Sequence, residues 1–180
     1  MVNADEIGAG IGLPPNAVRI LKQLACDLKE LDCVAYEGVV TFFLNGTEGL
    51  PQTLDKIPER FGEAWFLCHR VDLHAALKRL AFSKEPGTEG HGPPAILHLG
   101  KKVVDYNSTS GTITLDGGII QRADLIIAAD GIHSACRTIL LGDIGRPTPS
   151  AIAAYRWMVD TTIIKQHPEL DWVTAGPSGP

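Results

Sequence analysis

The sequence predicts an α/β fold, because apolar stripes with helical spacing alternate along the chain with short segments of strand character. One further segment, residues 125–129, differs from the other strand segments because it is apolar at every position. Continuous apolarity is typical of a strand that is covered on both faces in a parallel sheet. We therefore expect residues 125–129 to form a buried parallel strand.

Three predicted helices account for the apolar residues spaced three and four apart. The first follows Pro14-Pro15, where a missing amide proton costs little, and the second ends near Lys78 and Arg79, where cations suit the helix dipole. Asp72 is placed to cap the second helix, and the third begins at about Ser134. The apolar stripes consist of Ala17, Ile20, Leu21, Leu24, Ala25 and Leu28, then Leu73, Ala76, Leu77, Leu80 and Ala81, and last Ile132, Ala135, Cys136, Ile139 and Leu140.

The predicted strands are short and are bounded by turn residues. Residues 39–44 precede Asn45-Gly46, which indicates a hairpin, and Asp116-Gly117-Gly118 indicates a tight turn. The other strand predictions are residues 96–99, 103–106, 112–115, 119–121 and 151–159, with a surface loop at 84–94 and a break at 142–149.

Composition excludes several classes of function. The 180 residues are 44% hydrophobic and 21% charged, with a net charge of −5, which argues against nucleic-acid binding. No apolar run is long enough to cross a membrane, and the first residues lack a secretory signal, so we expect a cytoplasmic chain. The four cysteines show no metal-binding spacing, so we expect free, mostly buried thiols and no metal site.

The cluster Gly8-Ala9-Gly10-Ile11-Gly12-Leu13 is similar to a dinucleotide-binding fingerprint but departs from it. Its third glycine falls one place early, and Pro14-Pro15 stand where helical amides should hold a pyrophosphate. We therefore interpret the cluster as a bend at which small residues let a ligand or another backbone segment approach closely.

Asp130-Gly131 directly follows the predicted buried strand. Ligands of open α/β sheets bind beyond the carboxyl ends of parallel strands, so Asp130 stands where a cofactor would lie, and Gly131 permits a sharp turn. The alternative is that Asp130-Gly131 only makes the turn and Ser134 caps the following helix. Both interpretations can hold together.

Arg70 lies beside the start of the second predicted helix, where a cation opposes the helix dipole. Helix-end amides together with a guanidinium suit an anion or an electron-rich ring edge. The alternative for Arg70 alone is a solvated surface side chain.

Taken together, these motifs resemble the FAD-dependent aromatic-ring monooxygenases, in particular their salicylate hydroxylase-like branch. The resemblance rests on the order and spacing of Gly8-Ala9-Gly10-Ile11 with Pro15-Asn16-Ala17, of His69-Arg70-Val71-Asp72-Leu73, and of Ala129-Asp130-Gly131-Ile132-His133-Ser134 with Arg137.

The resemblance implies a partial FAD/NAD(P)-binding, Rossmann-like fold with a mixed sheet in residues 1–145, including a β-hairpin insertion around 37–62. Residues 146–180 would begin a substrate-covering β-sheet. It also implies cofactor-binding residues: Arg70 contacting the flavin, Gly10 and Ile11 near the flavin ring, and Asp130, Gly131 and Arg137 serving both the flavin and the nicotinamide donor. It assigns no catalytic nucleophile or base, because the cofactor carries the chemistry.

The implied activity is an NAD(P)H-dependent hydroxylation of a small aromatic substrate through a flavin C4a-hydroperoxide. The family's opening strand, glycine-rich loop and helix, which hold the ADP half of FAD, have no counterpart here, and neither does its downstream Gly-Asp motif. We therefore expect a chain truncated at both ends, with weak or absent FAD binding and no activity alone.

Two alternatives stay open at this stage. The chain could be a non-catalytic remnant that acts at most as a binding module, which stop codons in the flanking DNA would indicate. It could instead be a nicotinamide-dependent dehydrogenase that uses residues 8–13 as a true fingerprint, which would require a strand before Gly8. The residues favour neither NADH nor NADPH, and no particular oligomeric state.

Overall fold

The computed structural model describes residues 9–43, 45, 47–83, 93–142, 148, 150 and 159–174. The chain divides into a first unit, Met1–Ala95 with Tyr155–Pro180, and a second unit, Ile96–Ala154. In chain order the elements are β1 (Gly10–Leu13), α1 (Pro15–Gln23), β2 (Val34–Ala35), β3 (Gly38–Val39), β4 (Gln52–Thr53), α2 (Ile57–Phe61), β5 (Phe66–His69), α3 (Arg70–Phe82), β6 (Val103–Asn107), β7 (Thr112–Leu115), β8 (Ile120–Arg122), α4 (Ala135–Leu141), α5 (Thr161–Ile164), a 3-10 turn (Pro168–Leu170) and α6 (Asp171–Thr174).

The first unit is built on a three-stranded antiparallel sheet with β5 in the centre, between β1 and β2. Because side chains alternate across a strand, one face of this sheet packs against the helices and forms the core. The buried members of that core are Leu13, Val18, Leu21, Cys26, Leu31, Cys68, Leu73 and Ala76.

Helix α1 confirms the first predicted helix but ends earlier than its apolar stripe. Pro15 occupies the first helical position, and Val18 and Leu21 are buried. The helix ends because Ala25 adopts a left-handed conformation with φ of 56°, after which the Cys26 amide donates to the Leu21 carbonyl. Leu24, predicted to be in the stripe, is therefore exposed.

Helix α3 begins directly after β5, which corrects the predicted role of Asp72. The residue at the N-cap is His69, whose side chain makes no capping hydrogen bond, and Asp72 lies in the first turn. The predicted core stripe of this helix is confirmed, since Leu73 and Ala76 are buried and Leu77 and Leu80 pack against the core.

The predicted hairpin around Asn45 is confirmed, although its strands are very short. Strands β3 and β4 pair in an antiparallel register, and nearer the turn the Phe43 amide donates to the Thr47 carbonyl at 2.9 Å. The Asn45 side chain accepts from the Thr47 amide at 3.0 Å, which orders the turn. Leu44 and Gly46, which belong to the same prediction, lie outside the described residues.

In the second unit, β6, β7 and β8 form an antiparallel meander that confirms three of the predicted strands. The predicted tight turn between β7 and β8 is also confirmed, because Gly117 and Gly118 both adopt positive φ and the Gly118 amide donates to the Leu115 carbonyl. The strand predicted at residues 96–99 is wrong, since that segment is irregular and exposed.

The buried parallel strand predicted at residues 125–129 is also wrong. These residues form no strand, and the side chains of Leu125 and Ile127 are 75% and 79% exposed. A strand needs a hydrogen-bonded neighbour, and no described strand pairs with this segment. Every strand pair in the described part of the chain is antiparallel, so the predicted mixed sheet is absent there, whereas the α/β class is confirmed.

The four cysteines are free thiols, as predicted, and all but Cys33 are buried. Within the described ranges, no helix is long and apolar enough to cross a membrane. The strand predicted at 151–159 and the loops predicted at 84–94 and 142–149 lie almost entirely outside the described residues.

Candidate functional site

Three of the predicted cofactor-binding residues, Gly10, Ile11 and Arg70, lie together in the first unit. The register of β1 and β5 pairs Gly10 with His69 and Ile11 with Cys68. The Arg70 amide continues this pairing by donating to the Ala9 carbonyl at 3.0 Å. Sequence-distant residues are therefore neighbours at one end of the β1–β5 pair, where β5 passes into α3.

The segment Gly10–Leu13 is a strand, which corrects the bend predicted for the glycine cluster. It leads through Pro14 into α1, so Gly10 and Gly12 lie within a β-ladder and not in a loop whose amides converge at a helix start. In the described residues of this cluster, this geometry is not that of a dehydrogenase fingerprint; Gly8 lies outside the described residues. The group that approaches Gly12 closely is a side chain and not the predicted ligand or backbone segment: a Cβ built on Gly12 would lie 3.2 Å from the Trp65 indole nitrogen.

The indole of Trp65 is the feature that sequence reasoning missed. Its Nε1 atom is buried and, among the described residues, has no hydrogen-bond partner. The ring is held edge-on by Tyr36, with centroids 5.5 Å apart. A buried N–H group without a partner costs free energy, so this group suits a ligand acceptor that would satisfy it.

The open backbone at Gly10 tests whether a flat ring fits on this face of β1. A Cβ built on Gly10 meets no atom within 4 Å, and both Gly10 and Gly12 are exposed. The Ile11 side chain packs against the core on the opposite face, so Ile11 offers its backbone to this surface. The open backbone at Gly10 leaves room for a planar heterocycle on this face of β1, whereas the Trp65 indole lies against Gly12.

The first turn of α3 adds charge of both signs to this end of the sheet. Arg70 occupies the first position of the helix and is half-buried. The Asp72 carboxylate lies 3.5 Å from the His69 Nδ1 atom. An acidic residue in a first turn also complements the helix dipole.

The other three predicted residues, Asp130, Gly131 and Arg137, lie in one turn of the second unit. Gly131 has φ of 78°, a left-handed conformation that favours glycine. The Asp130 carboxylate accepts from the Ala135 amide at 2.8 Å and from the Cys136 amide at 3.3 Å. The Arg137 guanidinium donates to the Ile132 carbonyl at 2.8 Å.

Ser134 completes this turn as the N-cap of α4. Its hydroxyl oxygen accepts from the Arg137 amide at 2.9 Å, and its own amide donates to the Gly131 carbonyl. A hydrogen bond from the Ser134 side chain, with further ones from backbone amides, lowers the pKa of Asp130 below its ordinary value. The predicted turn-and-cap interpretation is therefore confirmed, and the cofactor role of these residues stays a prediction.

Metal chemistry has no support in the described part of the chain, where no group of three or more His, Cys, Asp or Glu side chains is placed to hold an ion. The chemistry that the first-unit site can supply is hydrogen bonding and charge: an indole N–H, a guanidinium and open glycine backbone.

No protein-family model matches the chain. Several curated proteins do match it along most of its length. It is 38% identical to hispidin-3-hydroxylase of Neonothopanus nambi over 96% of this chain and 40% of that protein. It is 33% identical to an FAD-dependent monooxygenase of Diaporthe leptostromiformis over 92% of this chain and 41% of that protein. For 3-hydroxybenzoate 6-hydroxylase of Klebsiella oxytoca the identity is 32%, over 86% of this chain and 38% of that protein. The chain thus spans about two fifths of the length of the curated relatives it matches.

Proposed function

This chain is homologous over most of its length to FAD-dependent monooxygenases and aromatic hydroxylases, and on that premise we propose that it is part of an FAD-binding enzyme that hydroxylates a small aromatic compound. The observation that carries the proposal is the meeting of Gly10, Ile11 and Arg70 at one end of the β1–β5 pair, where β5 passes into α3. When bound, the flavin would pass two electrons from NAD(P)H to O₂, so that one oxygen atom enters the aromatic ring and the other leaves as water.

The first-unit residues would bind and orient the flavin ring. The backbone at Gly10 and Ile11 would lie along the ring, since no side chain there obstructs it. The Trp65 indole would donate its hydrogen bond to a ring acceptor, and the Arg70 guanidinium would face an electron-rich edge or a phosphate. Binding would remove the cost of the buried N–H, which for an unsatisfied group is about 1–3 kcal/mol.

The second-unit turn would present a fixed carboxylate to hydroxyl donors of the cofactor or of the nicotinamide donor. Hydrogen bonds from Ser134 and from the α4 amides lower the pKa of Asp130, so they favour its carboxylate form over the protonated form. Those same bonds fix its position before a ligand arrives, which reduces the entropy lost on binding. Gly131 lets a ligand come close to the backbone, since a Cβ there would meet nothing within 4 Å.

We expect FAD to bind this 180-residue chain weakly and the chain alone to hydroxylate nothing. No strand in the described part of the chain leads into a glycine-rich loop at a helix start, which is the usual holder of a pyrophosphate. Each missing charge-assisted hydrogen bond would remove about 1.5–3 kcal/mol, and about 1.4 kcal/mol is a tenfold loss of affinity. The Rossmann-like architecture, the division at residue 145, the NAD(P)H donor and the cytoplasmic location belong to the same proposal.

Titration of FAD with the purified chain, followed by flavin fluorescence, tests this proposal. We expect weak but saturable binding that Arg70→Met weakens further. Arg79→Met is the matched control, because Arg79 lies in the last turn of the same helix, away from the β1–β5 end, where it pairs with Glu30 at 2.9 Å. A submicromolar stoichiometric complex would contradict the expected weakness, and equal binding by both variants would contradict the role of Arg70. No binding at any concentration would favour a non-catalytic remnant.

A further inference from the structure

Two cysteines of the first unit lie at one end of the β2–β5 pair, beside the candidate flavin site. Cys68 lies in β5 and is buried, with 6% of its surface exposed. Cys33 directly precedes β2 and is partly buried against the same core. The side chain of each residue alters the pKa of the other.

The strand register places the two residues opposite each other. Strands β2 and β5 pair Val34 with Leu67 and Ala35 with Phe66 in an antiparallel sense. Continuing that register by one residue sets Cys33 directly across from Cys68. The packing of both thiols against one core agrees with this placement, because cross-strand partners share a face of the sheet.

The hydrogen-bond pattern shows which kind of cross-strand pair they form. The Tyr36 amide donates to the Trp65 carbonyl at 2.8 Å, so that pair is hydrogen-bonded. Hydrogen-bonded and non-hydrogen-bonded pairs alternate along an antiparallel ladder, which makes the pair of Cys33 and Cys68, three steps on, non-hydrogen-bonded. On its other side, the backbone of Cys68 is paired with Ile11 of β1.

Non-hydrogen-bonded pairs bring the two Cα atoms to about 4.5 Å, and disulfides span Cα separations of about 4.4–6.8 Å. From this geometry we infer that Cys33 and Cys68 are a dithiol pair that a peroxide converts to a reversible disulfide, linking β2 to β5. The two other cysteines lack this placement, since Cys26 does not adjoin a strand that pairs with β5 and Cys136 belongs to α4 of the second unit.

The oxidation consumes one hydrogen peroxide and releases two waters. The Cys33 sulfur, the more accessible of the two, attacks one peroxide oxygen, so the O–O bond breaks and a sulfenic acid and water form. The Cys68 sulfur then attacks the Cys33 sulfur, so that an S–S bond forms, the S–O bond breaks, and the second water leaves with the remaining thiol proton.

Burial sets the pH range of this reaction, because thiolates and not thiols attack peroxides. Burial raises the pKa of both thiols, that of Cys68 to about 11, while the neighbouring Cys68 side chain partly offsets the increase at Cys33. The thiolate fraction of such a group rises about tenfold per pH unit below its pKa, so oxidation accelerates strongly from pH 7 to pH 8.

The disulfide would lie next to the candidate flavin site. Cys68 is paired with Ile11, and the second residue after it is Arg70. Oxidation would fix β2 against the strand that carries these residues into α3. The formation of the disulfide does not depend on the proposed flavin function, so the two proposals can fail separately.

Peptide mapping after peroxide treatment of the folded chain tests the inference. Trypsin separates all four cysteines, because a lysine or arginine lies between each consecutive pair, so every possible disulfide gives a distinct linked peptide. We expect one linked product, residues 30–56 joined to 61–70, lost on reduction with dithiothreitol and formed about tenfold faster at pH 8 than at pH 7.

Three variants make the result decisive. Cys33→Ala and Cys68→Ala should each abolish the linked peptide, whereas Cys26→Ala should leave it unchanged. A linked peptide that contains Cys26 would overturn the inference. So would oxidation of Cys33 to sulfinic or sulfonic acid without any linkage, or linkage that appears only after the chain is unfolded in urea.

Discussion

Oxidation of Cys33 and Cys68 is expected to raise the free energy of unfolding of the first unit by about 4 kcal/mol. The disulfide would close a loop of about 36 residues. The chain-entropy relation gives a stabilisation of about 3 kcal/mol for a 15-residue loop and about 4.7 kcal/mol for a 100-residue loop, and a 36-residue loop falls between them. The non-hydrogen-bonded register adds little strain, because it already holds the Cα atoms within disulfide range.

Urea unfolding of the oxidised and the reduced chain, followed by far-ultraviolet circular dichroism, measures this difference. The control is Cys33→Ala treated with the same peroxide, which should gain no stability. An oxidised chain that unfolds at the same or a lower urea concentration than the reduced chain would refute the reasoning. That result would mean that the linkage distorts the β2–β5 pair and that Cys33 does not lie opposite Cys68.

Three further outcomes test the two units separately. Gly12→Ala should shift the indole N–H resonance of Trp65, because the added Cβ would lie 3.2 Å from Nε1. Gly10→Ala is the control and should leave that resonance unchanged, because its Cβ has open space. Equal shifts in the two variants would contradict the packing of Trp65 against Gly12. Asp130→Asn should speed hydrogen exchange of the first amides of α4 at neutral pH. The folded pKa of Asp130 is lowered, so its stabilisation of this turn is present above its unfolded pKa of about 3.9 and is lost as pH falls through the folded value. Asp130→Asn should therefore flatten the pH dependence of this exchange. An unchanged pH profile would contradict the hydrogen bonds from the Asp130 carboxylate to the first amides of α4. The exposed apolar side chains of the second unit should bind the dye 1-anilinonaphthalene-8-sulfonate. Ile127→Glu should reduce the dye fluorescence without changing the circular dichroism spectrum. Unchanged dye fluorescence would mean that Ile127 is covered.

The elements that the sequence predicts correctly depend on local information. Helix α3 follows from one apolar stripe, and the β6–β8 meander follows from strands joined by short turns such as Gly117-Gly118. Strand β1 was missed because it pairs with β5 across more than fifty residues, and no local pattern encodes such a partner. Residues 125–129 show the opposite error, since their apolarity indicates a covered strand while no described strand pairs with them.

The candidate site likewise contains residues that local motifs predict and residues that only the fold brings together. Arg70, Gly10 and Ile11 were found through ordered motifs, and the strand register then placed them together. The Trp65 indole was missed because an unsatisfied N–H exists only once the fold has buried it. The sequence also does not predict that Cys33 and Cys68 lie across from each other. Thirty-four residues separate them, and their placement depends on the register between two short strands.

The most direct test of the proposed FAD binding is a titration of the ¹⁵N-labelled chain with FAD, followed by amide chemical shifts. If the proposed function is correct, we expect saturable chemical-shift changes at Gly10, Ile11 and Arg70, at the Trp65 indole N–H, and in the turn from Asp130 to Arg137. Saturable shifts confined to other residues, or no shifts at millimolar FAD, would contradict it.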